Sequence, residues 1–110
     1  MKKFLITTLI FVGFVLINYP NDALTVDLEH GEQIFTGNCA VCHNGGENSI
    51  MPDKTLKKDV LESNSMYSVS AITYQVKNGK NAMPAFGNRL EDNEIEDVAN
   101  YVLSQSESGW

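Results

Sequence analysis

Cys39-Ala40-Val41-Cys42-His43 is the stretch that decides the fold of this chain. Two thiols three positions apart lie about one helical turn apart, so each can add to one vinyl group at the same porphyrin edge. The next residue, His43, then lies beside the iron and can give it an imidazole nitrogen. C-x-x-C-H is the attachment signature of a c-type haem. The motif therefore predicts one haem c, attached through Cys39 and Cys42 and ligated by His43.

A C-x-x-C pair also occurs in thioredoxin-like redox sites, in zinc sites and as an ordinary disulfide. A thioredoxin-like site belongs to a βαβ context, for which this sequence shows no pattern. The chain has two Cys and two His in all, and the second histidine is His30. A zinc site with four such ligands at the usual spacing is therefore hard to build, and haem is the favoured interpretation.

Length and charge narrow the class of protein. The chain has 110 residues, which allows one small domain whose core is marginal without a large apolar cofactor. The formal net charge is −6, and it is −7 for residues 26–110, because residues 1–25 contain two Lys and one Asp. This acidity argues against nucleic acid and anionic membranes as partners and favours a partner with a basic docking patch.

Residues 1–25 have the pattern of a cleaved signal peptide. Two lysines near the start precede an apolar run over residues 4–17. This run is short for a membrane span, which needs about 20 residues, and it suits the apolar region of a signal peptide. An uncleaved anchor or an N-terminal core helix is the alternative. Cleavage after Ala23 or after Thr25 is expected, and the second choice leaves a mature domain of residues 26–110.

Apolar residues at helical spacing predict a helix at each end of the mature domain. The first begins at about Asp27 and runs into the haem-attachment loop. Gly31 inside it costs about 1 kcal/mol relative to Ala, and close approach of another helix is a reason to tolerate that cost. We expect the last helix to cross the first near Gly31 and Phe35, with Tyr101 at the crossing. The apolar stripe of the last helix consists of Ile95, Val98, Ala99, Val102 and Leu103.

Two further helices are expected between these. A short surface helix lies between residues 54 and 63, with Asp53 or Thr55 as its cap. The other begins at the N-cap Ser68 and ends at Gly79. The predicted fold class is therefore all-α, with four or so helices wrapped around one covalently bound haem. The apolar stripe of the helix after Ser68 consists of Val69, Ile72 and Val76.

Met83 is the predicted second axial ligand. It follows His43 by 40 residues and precedes Pro84, which stiffens the loop, so the thioether can reach the other face of the haem. A histidine and methionine pair is typical of electron-transfer cytochromes and raises the reduction potential. Met51 and Met66 are the rivals. Met51 is only eight residues past His43, and Met66 lies among polar turn residues.

Three side chains near this loop are candidates for roles beside the haem. Gln75 either faces the haem or caps the edge of its apolar stripe. The haem edge near Met83 and Phe86 is expected to be exposed enough for electron transfer, and Phe86 is a candidate docking residue there. Arg89 is either a docking residue at that edge or an ion-pair partner of Glu91 or Asp92.

The two histidines carry different expectations. A backbone carbonyl within residues 50–52 is expected to accept a hydrogen bond from the free ring N–H of His43 and so fix its tautomer. His30 lies among charged residues, and we expect an exposed, solvated side chain there.

These features together resemble those of the class I cytochromes c, and most closely the cytochrome c6 family of photosynthetic electron carriers. C-x-x-C-H is common to all such cytochromes, whereas the other matching stretches are specific in combination. Asn88 replaces a glycine that is usual in the family, and Glu91 lies near a usual Ser-type cap, so the loop and helix start are expected to differ slightly. The resemblance covers residues 26–110. The matching stretches are 26–31, 39–43, 45–46, 50–52, 54–58, 71–76, 78–87, 96–105 and 109–110.

The resemblance implies an electron carrier, not an enzyme, in the thylakoid lumen of a plastid or a cyanobacterium. It implies electron uptake from cytochrome f of the cytochrome b6f complex and delivery to photosystem I. The expected protein is a monomer without stable membrane insertion after cleavage. The family roles carry over to Cys39 and Cys42 for attachment, His43 and Met83 for iron ligation, Gln75 as a haem-side amide and Arg89 as a docking residue.

Three alternatives from other classes remain open at this stage. A periplasmic carrier that feeds a terminal oxidase would share the site but have different partners. A haem enzyme or gas sensor would need an open or labile sixth position. A structural or zinc module would carry no haem.

Overall fold

The computed structural model describes residues 26–110, which form five α-helices and one 3-10 turn. The helices are α1 Leu28–Asn38, α2 Ala40–His43, α3 Lys58–Ser63, α4 Val69–Asn78 and α5 Asp92–Ser108, and the 3-10 turn is Asn44–Gly46. Residues 26–110 contain no β-strand, only an isolated antiparallel bridge between Lys80 and Met83. The all-α prediction is confirmed. The predicted signal peptide lies outside the described residues.

The helices α1 and α5 cross where the sequence predicted. At Gly31, a Cβ atom would overlap the backbone oxygen of Asp97 and would lie 2.8 Å from Cβ of Tyr101. The rings of Phe35 and Tyr101 pack beside this point, with their centroids 5.4 Å apart. A glycine is therefore needed for α1 to approach α5 this closely.

The core lies between α1, α4 and α5, with one contribution each from α3 and the loop after α4. Its side chains are all at most 8% exposed. The face of α5 that carries them matches the stripe predicted from the sequence, except that Leu103 is only partly buried. The buried core residues are Ile34, Phe35, Leu61, Ile72, Val76, Phe86, Ile95, Val98, Ala99 and Val102.

The capping predictions have mixed outcomes. Ser68 caps α4 as predicted, since its Oγ accepts a hydrogen bond from the Ala71 N–H at 3.1 Å. The helix α3 begins at Lys58 and uses neither Asp53 nor Thr55 as a side-chain cap, so that prediction is wrong. The reason is that the helix begins later than predicted, with Lys57 at the N-cap position, and the Thr55 hydroxyl accepts instead from the Lys57 N–H at 3.3 Å, ahead of the helix.

The expectation of a solvated His30 is also wrong. Its Nδ1 lies 2.9 Å from Oδ2 of Asp97 on α5, and the His30 side chain is 34% exposed. The other carboxylate oxygen of Asp97 accepts from the Asp27 N–H at 3.3 Å. The hydrogen bond to Asp97 raises the pKa of His30 above its ordinary value, and the charges of Asp97, Asp27 and Glu94 add to this. This histidine therefore links α1 to α5.

The substitution Gly31→Ala tests the helix crossing. We expect it to lower the free energy of unfolding by about 1–3 kcal/mol, because the new methyl group meets a backbone oxygen that cannot move freely. Gly37→Ala is the matched control, since Gly37 lies on the same helix and a Cβ there meets nothing within 4 Å. The free energy of unfolding of the control should rise by about 0.5–1 kcal/mol. Urea unfolding of both holoproteins measures the difference, and equal stabilities would contradict the crossing.

The His30–Asp97 contact predicts a pH-dependent stability. The pKa of His30 is higher in the folded protein than in the unfolded chain, where it is about 6.5. Protonation at His30 therefore stabilises the fold: this contribution is complete below about pH 6.5 and is lost as the pH rises through the folded pKa.

We expect His30→Gln to cost more stability at about pH 6 than at about pH 8. Thermal unfolding of wild type and variant at both pH values measures this. Glu96→Gln, which removes an exposed carboxylate of α5, is the control for a general effect of charge. If His30→Gln loses the same amount of stability at both pH values, the His30–Asp97 contact does not titrate in this range.

Candidate functional site

A large cavity opens beside the core. It encloses about 1480 Å³ of space free of protein atoms, including its open mouth. Its inner wall is apolar and is shared with the core through Phe35, Ile72, Val76 and Phe86. The residues that the sequence assigned to a haem all line this cavity, and they are Cys39, Cys42, His43, Gln75 and Met83.

The single turn of α2 brings the two cysteines to the same cavity. Cys39 ends α1, where its N–H donates to the Phe35 carbonyl at 2.8 Å, and its own carbonyl accepts from the His43 N–H at 2.9 Å. Both thiols are free, so the disulfide alternative is not what the structure shows. Burial raises the pKa of the Cys39 thiol to about 11. This thiol is therefore protonated at neutral pH.

The ring of His43 is held by a backbone carbonyl, although not by the one expected. Its Nδ1 lies 2.9 Å from the Glu47 oxygen. Because a carbonyl only accepts, Nδ1 is the donor, and Nε2 keeps its lone pair for a metal. The prediction of an acceptor within residues 50–52 is wrong. There the chain folds back on Asn48, whose Oδ1 accepts from the Met51 N–H at 2.8 Å.

Two glycines shape the turn that brings the Glu47 carbonyl to His43. Gly45 and Gly46 have φ values of 65° and 80°, which side chains with a Cβ rarely adopt. The turn closes with a hydrogen bond of 3.2 Å from the Glu47 N–H to the Asn44 carbonyl. The sequence showed this loop but not which carbonyl would face the imidazole.

Met83 lies on a tight turn that follows α4. Lys80 and Met83 exchange two backbone hydrogen bonds of 3.0 Å and 2.9 Å. At Gly79, a Cβ would lie 2.8 Å from the Met83 oxygen, so the chain can return this closely only at a glycine. The loop is then tied to α4 by the Phe86 N–H, which donates to the Val76 carbonyl at 2.8 Å.

Gln75 contacts this loop directly. Its Nε2 donates to Sδ of Met83 at 3.4 Å. Of the two positions expected for this amide, the structure shows the one that faces the cavity. The rivals Met51 and Met66 also line the cavity.

The prediction of Phe86 as a docking residue is wrong, whereas Arg89 is exposed. The ring of Phe86 is 6% exposed, because its backbone bond to α4 turns it into the core. The Arg89 guanidinium lies 5.0 Å from the centroid of this ring. Within residues 26–110 no carboxylate pairs with Arg89, and Asp92 pairs instead with Lys77 at 3.3 Å. The ion-pair alternative for Arg89 is therefore not what the structure shows.

None of the helices in residues 26–110 combines the length and the apolarity that crossing a bilayer requires. The same residues hold no group of three or more His, Cys, Asp and Glu side chains that could bind a metal ion. The zinc alternative thus has no set of ligands in this part of the chain.

The cavity fits a covalently held haem. It presents two free thiols, one imidazole whose Nε2 is unused, three thioethers and a largely apolar wall, and Gln75 donates to the thioether of Met83. This donor set matches the attachment and axial ligation of a c-type haem. At the mouth, Val41 and Ile50 are 86% and 57% exposed, so the cavity has an apolar rim.

Comparisons with known proteins agree with this fit. The family described as cytochrome c oxidase, cbb3-type, subunit III matches residues 26–102. A cytochrome c6 of Pyropia yezoensis is 63% identical over 110 residues, which is all of both chains. A cytochrome c6 of Bumilleriopsis filiformis is 76% identical over 84 residues, 76% of this chain and 98% of that one. A solved structure of cytochrome c6 from the diatom Phaeodactylum tricornutum has a TM-score of 0.75 and 55% identity, and the match covers 76% of this chain and 99% of that chain.

Proposed function

Because the chain belongs to the cytochrome c6 family, we propose that it carries single electrons from cytochrome f of the cytochrome b6f complex to photosystem I. Family membership means that it has the class I cytochrome c fold, holds one covalently bound haem c, and is an electron-transfer protein, not an enzyme. One observation carries the proposal: His43, Met83 and the two thiols line a single cavity.

The site residues have separate roles in this proposal. When bound, the haem supplies a metal centre that takes up and releases one electron. Cys39 and Cys42 hold it covalently, so it cannot dissociate. His43 and Met83 would ligate its iron, and the iron would then have no free position for a substrate. Electrons therefore pass between proteins without bond making at the iron.

Hydrogen bonds keep both ligands in place during the change of charge. The Glu47 carbonyl holds the imidazole of His43, and the paired backbone bonds of Lys80 hold Met83. A rigid site needs little reorganisation when an electron arrives or leaves. The Gln75 amide turns the positive end of its N–H dipole towards the Met83 sulfur. This dipole disfavours the more positive, oxidised state and so supports a high reduction potential.

Docking is proposed at the mouth of the cavity. The exposed apolar residues Val41 and Ile50 supply a surface for contact, and Arg89 is free to meet a carboxylate of a partner. The charge of −7 on residues 26–110 favours a basic partner at longer range. Steering of this kind depends on ionic strength.

The proposed location is the thylakoid lumen, reached through a signal peptide of residues 1–25. Support comes from the apolar run in that segment and from the Bumilleriopsis filiformis relative. That relative matches 84 residues of this chain with 98% of its own length. A mature domain of residues 26–110 fits the length of this match, and we propose that it acts as a soluble monomer.

A second candidate is a carrier that donates to a terminal oxidase. The observation in its favour is the match of residues 26–102 to a family described by an oxidase subunit. A haem sensor or enzyme is disfavoured, because Met83 is fixed within the cavity on a tightly bonded turn.

The test of the function is kinetic. Reduced holoprotein is mixed with flash-oxidised photosystem I, and the rate of re-reduction is followed. We expect a second-order rate that falls as salt rises, because opposite charges steer the encounter. Cytochrome f as reductant and a terminal oxidase as acceptor are run in parallel. Faster transfer to the oxidase than to photosystem I would favour the second candidate.

The substitution Met83→Ala tests the axial ligand. We expect loss of the far-red absorption band of the iron–sulfur bond in the oxidised protein, together with a lower reduction potential. Met51→Ala and Met66→Ala are the controls, since both methionines line the same cavity. They should keep the band and the potential. A Met83→Ala protein with an unchanged spectrum would exclude Met83 as the ligand.

A further inference from the structure

We propose that Trp110 is a positioning residue for His43 and acts through the turn formed by residues 44–47. The inference rests on the proposed role of His43 as an axial ligand. It adds a side chain that lies far from His43 in the sequence and that none of the haem motifs includes. Trp110 lies beyond the end of α5, whereas His43 is the last residue of α2.

The indole of Trp110 lies directly against the turn. A Cβ built on Gly46 would meet the indole atoms Cγ and Cδ2 at 2.5 Å, so the ring covers Gly46 with no space for a side chain. The indole Nε1 also donates to the Leu56 carbonyl at 2.8 Å. Leu56 in turn donates its N–H to the Gly46 carbonyl at 2.7 Å. Trp110, Leu56 and Gly46 therefore form a closed set of contacts.

This set of contacts reaches the residue next to the hydrogen-bond acceptor of His43. Gly46 directly precedes Glu47, whose carbonyl accepts from Nδ1 of His43 at 2.9 Å. A movement of the Gly46–Glu47 peptide also moves Cα of Glu47 and so displaces that carbonyl. The indole blocks such a movement, because it fills the side of the turn that a displaced Gly46 would occupy.

Trp110 is itself held firmly from the opposite side. Gly109, with φ 94°, reverses the chain at the end of α5, and the Trp110 N–H donates to the Gln105 carbonyl at 2.8 Å. The ring packs on Phe35 with a centroid distance of 5.4 Å and meets Tyr101 edge-on at 6.3 Å. The α1–α5 crossing therefore supports the indole, and the indole supports the turn.

The consequence concerns the electronic state of the ligand. A hydrogen bond from Nδ1 to a carbonyl makes the imidazole a stronger base and stabilises the oxidised metal. Without the indole, the Glu47 carbonyl loses its fixed direction and this bond weakens. The Nδ1 proton then exchanges faster with solvent, and the reduction potential rises.

The experiment compares three holoproteins with wild type. Trp110→Ala removes the ring, and Trp110→Phe keeps a ring beside Gly46 but loses the bond to Leu56. Ile95→Val is the matched control, because it removes one methylene group from a fully buried residue of α5 that does not line the cavity. Exchange of the His43 Nδ1 proton is measured by NMR on the reduced protein, and the potential by redox titration.

We expect exchange to be about tenfold faster in Trp110→Ala, with a higher potential, and smaller changes of the same sign in Trp110→Phe. The control should lose stability without either change. The inference is overturned if the Nδ1 proton exchange rate and the reduction potential of Trp110→Phe equal those of the control. This comparison can be made even if Trp110→Ala does not fold. The proposed function is tested separately: a wild-type spectrum without histidine–methionine ligation overturns it, whatever the variants show.

Discussion

The close crossing of α1 and α5 at Gly31 is the contact on which the rest of the structure depends. It sets the direction in which α1 ends, and α1 ends at Cys39, the first attachment residue. The single turn of α2 then carries Cys42 and His43 onto the same cavity wall. A small error at the crossing would therefore displace three functional side chains together. The packing of Phe35 against Tyr101 and Trp110 extends the crossing towards the site.

Polar side chains and backbone groups do the finer positioning. The Glu47 carbonyl orients one ligand, and the Gln75 amide contacts the other. Asn48 folds the loop between them by accepting from two backbone N–H groups and donating to the Lys54 carbonyl. Loops of this kind have few contacts of their own, so such local bonds decide their shape. The cavity thus has an apolar wall for affinity and a few directed bonds for geometry.

The sequence predicted the helices at both ends, their crossing at Gly31 and the cap at Ser68, because apolar spacing and capping preferences are local signals. It predicted the residues that line the cavity because C-x-x-C-H and Met-Pro have a fixed chemistry. It failed for the acceptor of His43, the pairing of His30 and the burial of Phe86. Each of these depends on where a loop or a distant helix lies, and spacing along the chain does not contain that information. Trp110 was missed for the same reason, since its partners Gly46 and Leu56 are more than fifty residues away.

The inner wall of the cavity has a consequence for how this protein can change during evolution. Ile72, Val76 and Phe86 belong both to the core and to the surface that encloses the cofactor. A substitution selected for heat tolerance at these positions would also alter the polarity around the redox centre. Thermal adaptation and tuning of driving force are therefore coupled at these three positions. Lineages that need one without the other must make their changes on the outer faces of the helices.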